Sequence, residues 1–187
     1  MMKAERNLSL GGSGGAGDEA SIVARLRRGD HDAAHEFYEL YSARIYRFIL
    51  HAIGSGADSD AEDIMQDTFM ALADAIPFFR GDSSLFTFAC AIAHRKSMSF
   101  LRTRVRRATV LLDETNAPSS QADAATDRDF QRILASLRAD HRQVLILKYV
   151  EEMSVAEIAT VLSVSQHAVE SRLARGRRAL SKALRED

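Results

Sequence analysis

The sequence predicts an all-α protein built from two small helical domains joined by a flexible linker. Three observations lead there. Apolar residues recur at helical spacing from about Glu19 onward, no stretch alternates apolar and polar residues as a half-buried strand would, and one internal segment loses its large apolar residues. Of the 187 residues, 46% are hydrophobic, enough for packed cores, so wholesale disorder is not expected.

Residues 1–17 carry the run Gly11-Gly12-Ser13-Gly14-Gly15, read as a flexible tail without the apolar stretch of a signal peptide. A short helix is expected over Ser21–Arg28, ended by Gly29-Asp30. A longer one follows over His31–Ile53, with Ala34, Phe37, Tyr38, Tyr41, Ile45, Phe48 and Ile49 on one stripe and Gly54 beyond its end. Asp58-Ser59-Asp60 offers caps for a helix over Ala61–Ile76, which Pro77 closes by removing an amide donor. After a loop at Phe79–Ser83, another helix runs to about Arg106 and completes a first domain, 18–107. Residues 108–127, with Pro118, Ser119, Ser120 and Gln121, have a linker composition. Phe130, Ile133, Leu134 and Leu137 restart a helix and open a second domain, 128–187. Asp140 with Gln143 and Ser154 with Glu157 have the spacing of capping boxes.

Composition narrows the function. A net charge of -1 argues against coating nucleic acid by bulk charge. Cys90 is the sole cysteine, which rules out an internal disulfide and a cysteine-based zinc finger; it reads as a small core residue in a reducing, cytoplasmic compartment. No apolar run is long enough for membrane insertion. No glycine-rich phosphate loop follows a strand, and His31 and His35 stand at i, i+4 without the His-Glu-x-x-His signature. No enzyme activity, cofactor or metal is therefore expected.

Charge is segregated along the chain. Asp58, Asp60, Glu62, Asp63, Asp67 and Asp74 follow one another with no Lys or Arg between them, a surface suited to a basic protein partner. Arg95, Lys96, Arg102, Arg104, Arg106 and Arg107 follow with no acid between them. Phe78, Phe79, Phe86 and Phe88 lie between the two runs, and aromatics beside a basic face suit single-stranded DNA, whose unstacked bases need new stacking partners. In the second domain Ile158, Ala159 and Leu162, a turn at Ser163-Val164, then Val169 and Leu173 give helix-turn-helix spacing, in which the second helix enters a DNA major groove. An ordinary amphipathic hairpin with a basic face would show the same spacing.

The run Asp60-Ala61-Glu62-Asp63-Ile64-Met65-Gln66-Asp67-Thr68-Phe69, then Phe79-Arg80-Gly81-Asp82-Ser83-Ser84-Leu85-Phe86-Thr87-Phe88, then Ile92-Ala93-His94-Arg95 leading to Phe100-Leu101-Arg102, resembles region 2 of the extracytoplasmic-function (ECF) sigma factors of bacterial RNA polymerase. Tyr149-Val150-Glu151-Glu152-Met153-Ser154-Val155-Ala156-Glu157-Ile158-Ala159, continuing as Val169-Glu170-Ser171-Arg172-Leu173-Ala174-Arg175-Gly176-Arg177, resembles region 4. Both come in the family's order, so the resemblance implies a region 2 helical bundle followed by a region 4 helix-turn-helix.

The resemblance further implies that Asp60, Asp63, Gln66, Asp67, Phe69 and Met70 dock on core RNA polymerase. Phe79, Arg80, Gly81, Asp82 and Ser83 would form the loop that captures a flipped base of the minus-10 element, with Phe88, His94, Arg95 and Arg102 along the strand. Ser165, Gln166, His167, Glu170, Ser171, Arg172, Arg175 and Arg178 would meet the minus-35 duplex. It also implies an anti-sigma factor as a partner. Some positions depart from the family: Phe88 stands where Trp is common, Arg95 where Asn is frequent, Ala91 where Arg is usual and Glu170 where Lys or Arg is typical. Ser163 replaces a turn glycine, a change suited to backbone that is not left-handed. A stand-alone helix-turn-helix regulator is the alternative, against which the acidic helix and the Phe79–Ser84 loop speak, since an operator-binding protein needs neither.

Overall fold

The computed structural model describes residues 16–54, 57–110, 133–134 and 136–186. Among these residues the α-helices follow in order: α1 (Ala16–Leu26), α2 (His31–Ile53), α3 (Asp58–Ala75), α4 (Leu85–Val110), α5 (Ala139–Tyr149), α6 (Val155–Leu162) and α7 (Gln166–Glu186). A 3-10 turn at Ile76–Phe78 separates α3 from α4. Among the described residues there is no strand, and no helix is long and apolar enough to cross a membrane. Most of the expected tail and linker lies outside these residues, but 16–17 and 108–110 are helical. α4 outruns its expected end because Thr103–Val110 holds no glycine or proline to stop it.

Local chemistry sets most helix ends. The Asp30 carboxylate accepts the amides of Asp32 and Ala33 and caps α2; Gly54, at φ 98°, closes it. Ala33 rather than Ala34 is buried on α2, and Tyr38 lies at the exposed margin of the stripe. α3 starts before the expected Ala61. Ala57 is its N-cap without a side-chain bond, and Asp58 and Asp60 sit inside the first turn, where the positive end of the helix dipole favours them. α6 opens on the expected capping box: the Ser154 hydroxyl accepts the Glu157 amide, and the Glu157 carboxylate accepts the Ser154 amide. The expected box at Asp140–Gln143 does not form. Arg138 occupies the N-cap of α5 without a side-chain bond, and Gln143 is buried with its amide 4.0 Å from Met98 Sδ. Packing against the first domain has drawn the side chain away from its own helix end.

The turn between α6 and α7 is left-handed at Ser163, with φ 54° and ψ 46°, and the Ser163 and Val164 amides both return to Ala159. This is a Schellman-type closure, which ordinarily takes glycine. The serine Cβ strains that conformation. Ser163→Gly is therefore expected to stabilise the fold by about 1 kcal/mol, measurable as a raised midpoint of thermal unfolding. Within α7, Gly176 meets α5 closely: a Cβ there would stand 3.3 Å from the His141 carbonyl oxygen and from Leu145.

Ile45, Phe48, Ile49 and Leu85 centre the first helical unit, and Val144, Leu147, Ile158, Val161 and Val169 the second, while the buried Cys90 lies within electrostatic reach of Arg44 and Glu151. The two are not separate. Their buried residues form one continuous apolar cluster, with α6 seated on α4 and α5 on α2. Polar groups lock this seam. Arg44 of α2 donates through Nε to Glu151 Oε2 at 3.0 Å and through a terminal nitrogen to the Glu151 carbonyl at 3.3 Å. Its guanidinium also lies 3.9 Å from the centre of the Phe86 ring, whose other neighbour is the stacked Tyr41. The Glu151 side chain is wholly buried, and its Oε1 has no partner.

Candidate nucleic-acid and protein interfaces

α3 brings the acidic residues to one face. Asp63, Gln66, Asp67 and Met70 are exposed and Asp60 is half-buried, as spacing along one helical stripe requires. Phe69 turns inward, its ring 5.1 Å from Tyr38 and 5.9 Å from Phe37. Asp60, Asp63, Gln66 and Asp67 line one wall of a groove whose other wall is α4, with Lys96, Ser99, Phe100 and Thr103. Lys96 reaches across to Asp67 at 3.3 Å. The acidic and basic segments of the sequence are thus neighbours, one on each side of a shallow channel.

The loop between the 3-10 turn and α4 presents Arg80, Gly81 and Asp82 to solvent, with Gly81 at φ 81°, a conformation a side chain would strain. Ser83 is half-buried. Phe79 is buried, its ring 4.9 Å from the half-buried Phe88, and Phe86 is part of the core. The aromatic that faces solvent is Phe78, at 82% exposure. Pro77 ahead of it is exposed as well and Phe79 after it is buried, a distinction that the four phenylalanines do not show in sequence.

Along α4, Arg95 and Arg102 are exposed and His94 is half-buried. Burial holds the His94 imidazole below its ordinary value, and Arg172 of α7 and the neighbouring Arg95 lower it further. The imidazole is therefore neutral near pH 7, with Nδ1 buried and unpartnered. In the unfolded chain it titrates near its ordinary 6.5, so below that pH the unfolded chain takes up more protons and the fold loses stability as pH falls. Melting temperatures measured between about pH 7.5 and 5.5 are expected to fall, and His94→Gln to flatten that slope. A slope unchanged by the substitution would remove His94 from the account.

Ser165 just ahead of α7, and Gln166, His167, Glu170, Arg175 and Arg178 on it, are exposed, while Ser171 and Arg172 are half-buried, Arg172 with its charge felt by His94 of α4. The Ser165 hydroxyl accepts the Ala168 amide and caps this helix. Val169 and Leu173 pack on Ile158, Ala159 and Leu162, fixing α7 across α6 in the helix-turn-helix manner. The short helix carries a second link to the first unit. Glu157, which uses Oε2 for Ser154, receives Thr87 Oγ1 on Oε1 at 3.2 Å, and Thr87 in turn takes the Ser84 hydroxyl at 2.8 Å. Burial works to raise the Glu157 carboxyl, but the bonds from Ser154 and Thr87 outweigh it and hold the group below its ordinary value.

Residues 37–107 match Sigma-70 region 2 and residues 127–180 match Sigma-70, region 4, together about two-thirds of the chain. The ECF RNA polymerase sigma factor SigW of Bacillus subtilis is 28% identical over 182 residues, covering 88% of this chain and 95% of that protein. The ECF RNA polymerase sigma-E factor of Escherichia coli K12 is 25% identical over 184 residues, covering 85% and 90%. Among solved structures, the sigma factor RpoE in complex with the anti-sigma factor NepR from Bartonella quintana superposes with a TM-score of 0.70 at 25% identity, covering 82% of this chain and 97% of that one. CnrH, solved with the cytosolic domain of CnrY, shares the fold at a TM-score of 0.68 and 24% identity, covering 90% and 98%. Two sigma regions in order, a shared helical architecture and relatives matched along nearly their full length lead to one conclusion: this chain belongs to the ECF family of RNA polymerase sigma factors, transcription initiation factors that are not enzymes.

Proposed function

We propose that the acidic face of α3 docks on core RNA polymerase, that the 79–84 loop with α4 takes the minus-10 strand, and that α7 reads the minus-35 duplex. The observation that carries this reading is the division of charge between faces. Asp63, Gln66 and Asp67 stand exposed on α3, whereas Arg95 and Arg102 on α4 and Arg175 and Arg178 on α7 are exposed cations suited to phosphate. The loop offers Arg80, Asp82 and Ser83 as hydrogen-bonding groups beside the exposed Phe78 ring, the means to hold a base out of its stack. Glu170, exposed on the recognition helix, suits acceptance from a cytosine amino group rather than contact with phosphate.

Control by an anti-sigma factor is part of the same reading. The Bartonella quintana RpoE was solved with such a partner, and the closed seam of this chain half-covers His94 and Arg172, so DNA binding through them requires the seam to open. A partner that holds the seam shut would silence the chain. We place this action in the cytoplasm, where core polymerase works. The region 2 match over residues 37–107 stands against a stand-alone regulator, which has no use for a polymerase-docking domain.

Run-off transcription by purified core polymerase on pooled promoter-containing fragments tests the proposal. Promoter-specific transcripts are expected only when the chain is added, and mapping their starts identifies both elements. No transcripts together with no binding to core would transfer the chain to the regulator class.

A further inference from the structure

α1 holds both ends of the 79–84 loop. Near its first turn, the Glu19 carboxylate accepts the Leu85 amide, one of the donors that the start of α4 leaves without a helical partner. Just past its last turn, the Arg27 guanidinium donates to the Phe79 carbonyl. Eight positions of helix place the two anchors about 12 Å apart, a span fixed by α1 itself. α1 is seated in turn by the buried Ile22 and Val23. The loop's own bonds gather at its far end, where the Ser84 hydroxyl accepts the Thr87 amide. Between the anchors Arg80, Gly81 and Asp82 are exposed.

An exposed loop that must close on one base loses conformational freedom when it binds, and fixing its ends beforehand reduces that loss. We infer that Glu19 and Arg27 are positioning residues for minus-10 strand recognition. They do not touch the base; they keep the capturing loop in its binding shape. The inference rests on the proposed reading of the loop. Nothing in the spacing of Glu19 or Arg27 announces the role, because their partners lie 66 and 52 positions away.

The test uses the full chain and a short fluorescein-labelled non-template-strand oligonucleotide from a promoter mapped by the transcription assay, with minus-35 duplex as the reference ligand. Arg27→Ala is expected to weaken strand binding by about tenfold, the value of one charge-assisted hydrogen bond, with minus-35 affinity unchanged. Glu19→Ala is expected to weaken it in the same direction and Glu19→Gln, which keeps an acceptor oxygen, to restore it. Because Arg27 is a cation, salt dependence separates positioning from contact. Lost positioning leaves the slope of log affinity against log salt unchanged, whereas a lost phosphate contact lowers it by about one. Wild-type affinity in both alanine variants, or a lowered slope for Arg27→Ala, would overturn the inference. Failure of the underlying reading looks different: Arg80→Ala and Asp82→Ala would then also leave strand binding unchanged.

Discussion

Arg44→Ala is expected to open the seam between the two sigma domains. The substitution leaves the wholly buried Glu151 carboxylate without its cation and removes the group lying over Phe86. Breaking a buried pair by deleting one partner costs about 3–5 kcal/mol; Arg44 is 31% exposed, so solvent screening places the effect at about 3, roughly a hundred-fold in the closed population. Cys90 reports the outcome. It is the chain's sole cysteine and is fully buried; burial pushes its thiol up, and the Glu151 carboxylate adds to the shift. In the wild type it should resist alkylation, and in Arg44→Ala it should be labelled far faster while the helical circular dichroism signal persists. Glu151→Gln, which removes the charge and keeps an acceptor, should lie between the two. Equal labelling rates for wild type and Arg44→Ala would mean that the pair does not govern the seam.

Asp67→Arg is expected to weaken binding to core polymerase by about a hundred-fold, because a like charge brought against a complementary surface costs several kcal/mol. The effect on the fold should be small. Asp67 is exposed, and its bond to Lys96 at 3.3 Å is a surface pair of the kind that contributes little to stability. Titration of labelled chain with core polymerase, set beside a melting curve, distinguishes docking from stability. Unchanged affinity would move the docking surface away from α3.

Much of the fold is legible in the sequence because its helices end on local chemistry. Asp30, Gly54 and Pro77 act within a few residues of themselves, and so does the Ser154–Glu157 box. The failures are instructive. Asp140–Gln143 has the right spacing, but Gln143 found a place against Met98 on another helix, 45 positions away. Asp58 and Asp60 suit a first turn as well as a cap, so residue type alone cannot fix where α3 begins. Ser163 adopts the left-handed backbone that its residue type disfavours, because the packing of α7 on α6 dictates the turn. The acidic and basic faces were readable as charge runs. Which phenylalanine faces solvent was not, and neither was the seam: Arg44 and Glu151 are 107 positions apart, and each looks like any surface charge until the chain is folded.

The seam also sets how strongly the chain can appear to bind anything. A partner that needs the open form meets only the open fraction, so its apparent dissociation constant is the intrinsic one divided by that fraction. If the closed form is favoured by about 3 kcal/mol, roughly one molecule in a hundred is open at any instant, and the affinity of DNA that must reach the half-covered His94 or Arg172 is lowered by the same factor. Because both halves sit on one chain, the closure is intramolecular and dilution does not relieve it. Closure thus acts as a threshold: below a certain concentration of promoter DNA the chain stays folded on itself, and the buried Arg44–Glu151 pair deepens that threshold beyond what the apolar contacts of the seam set.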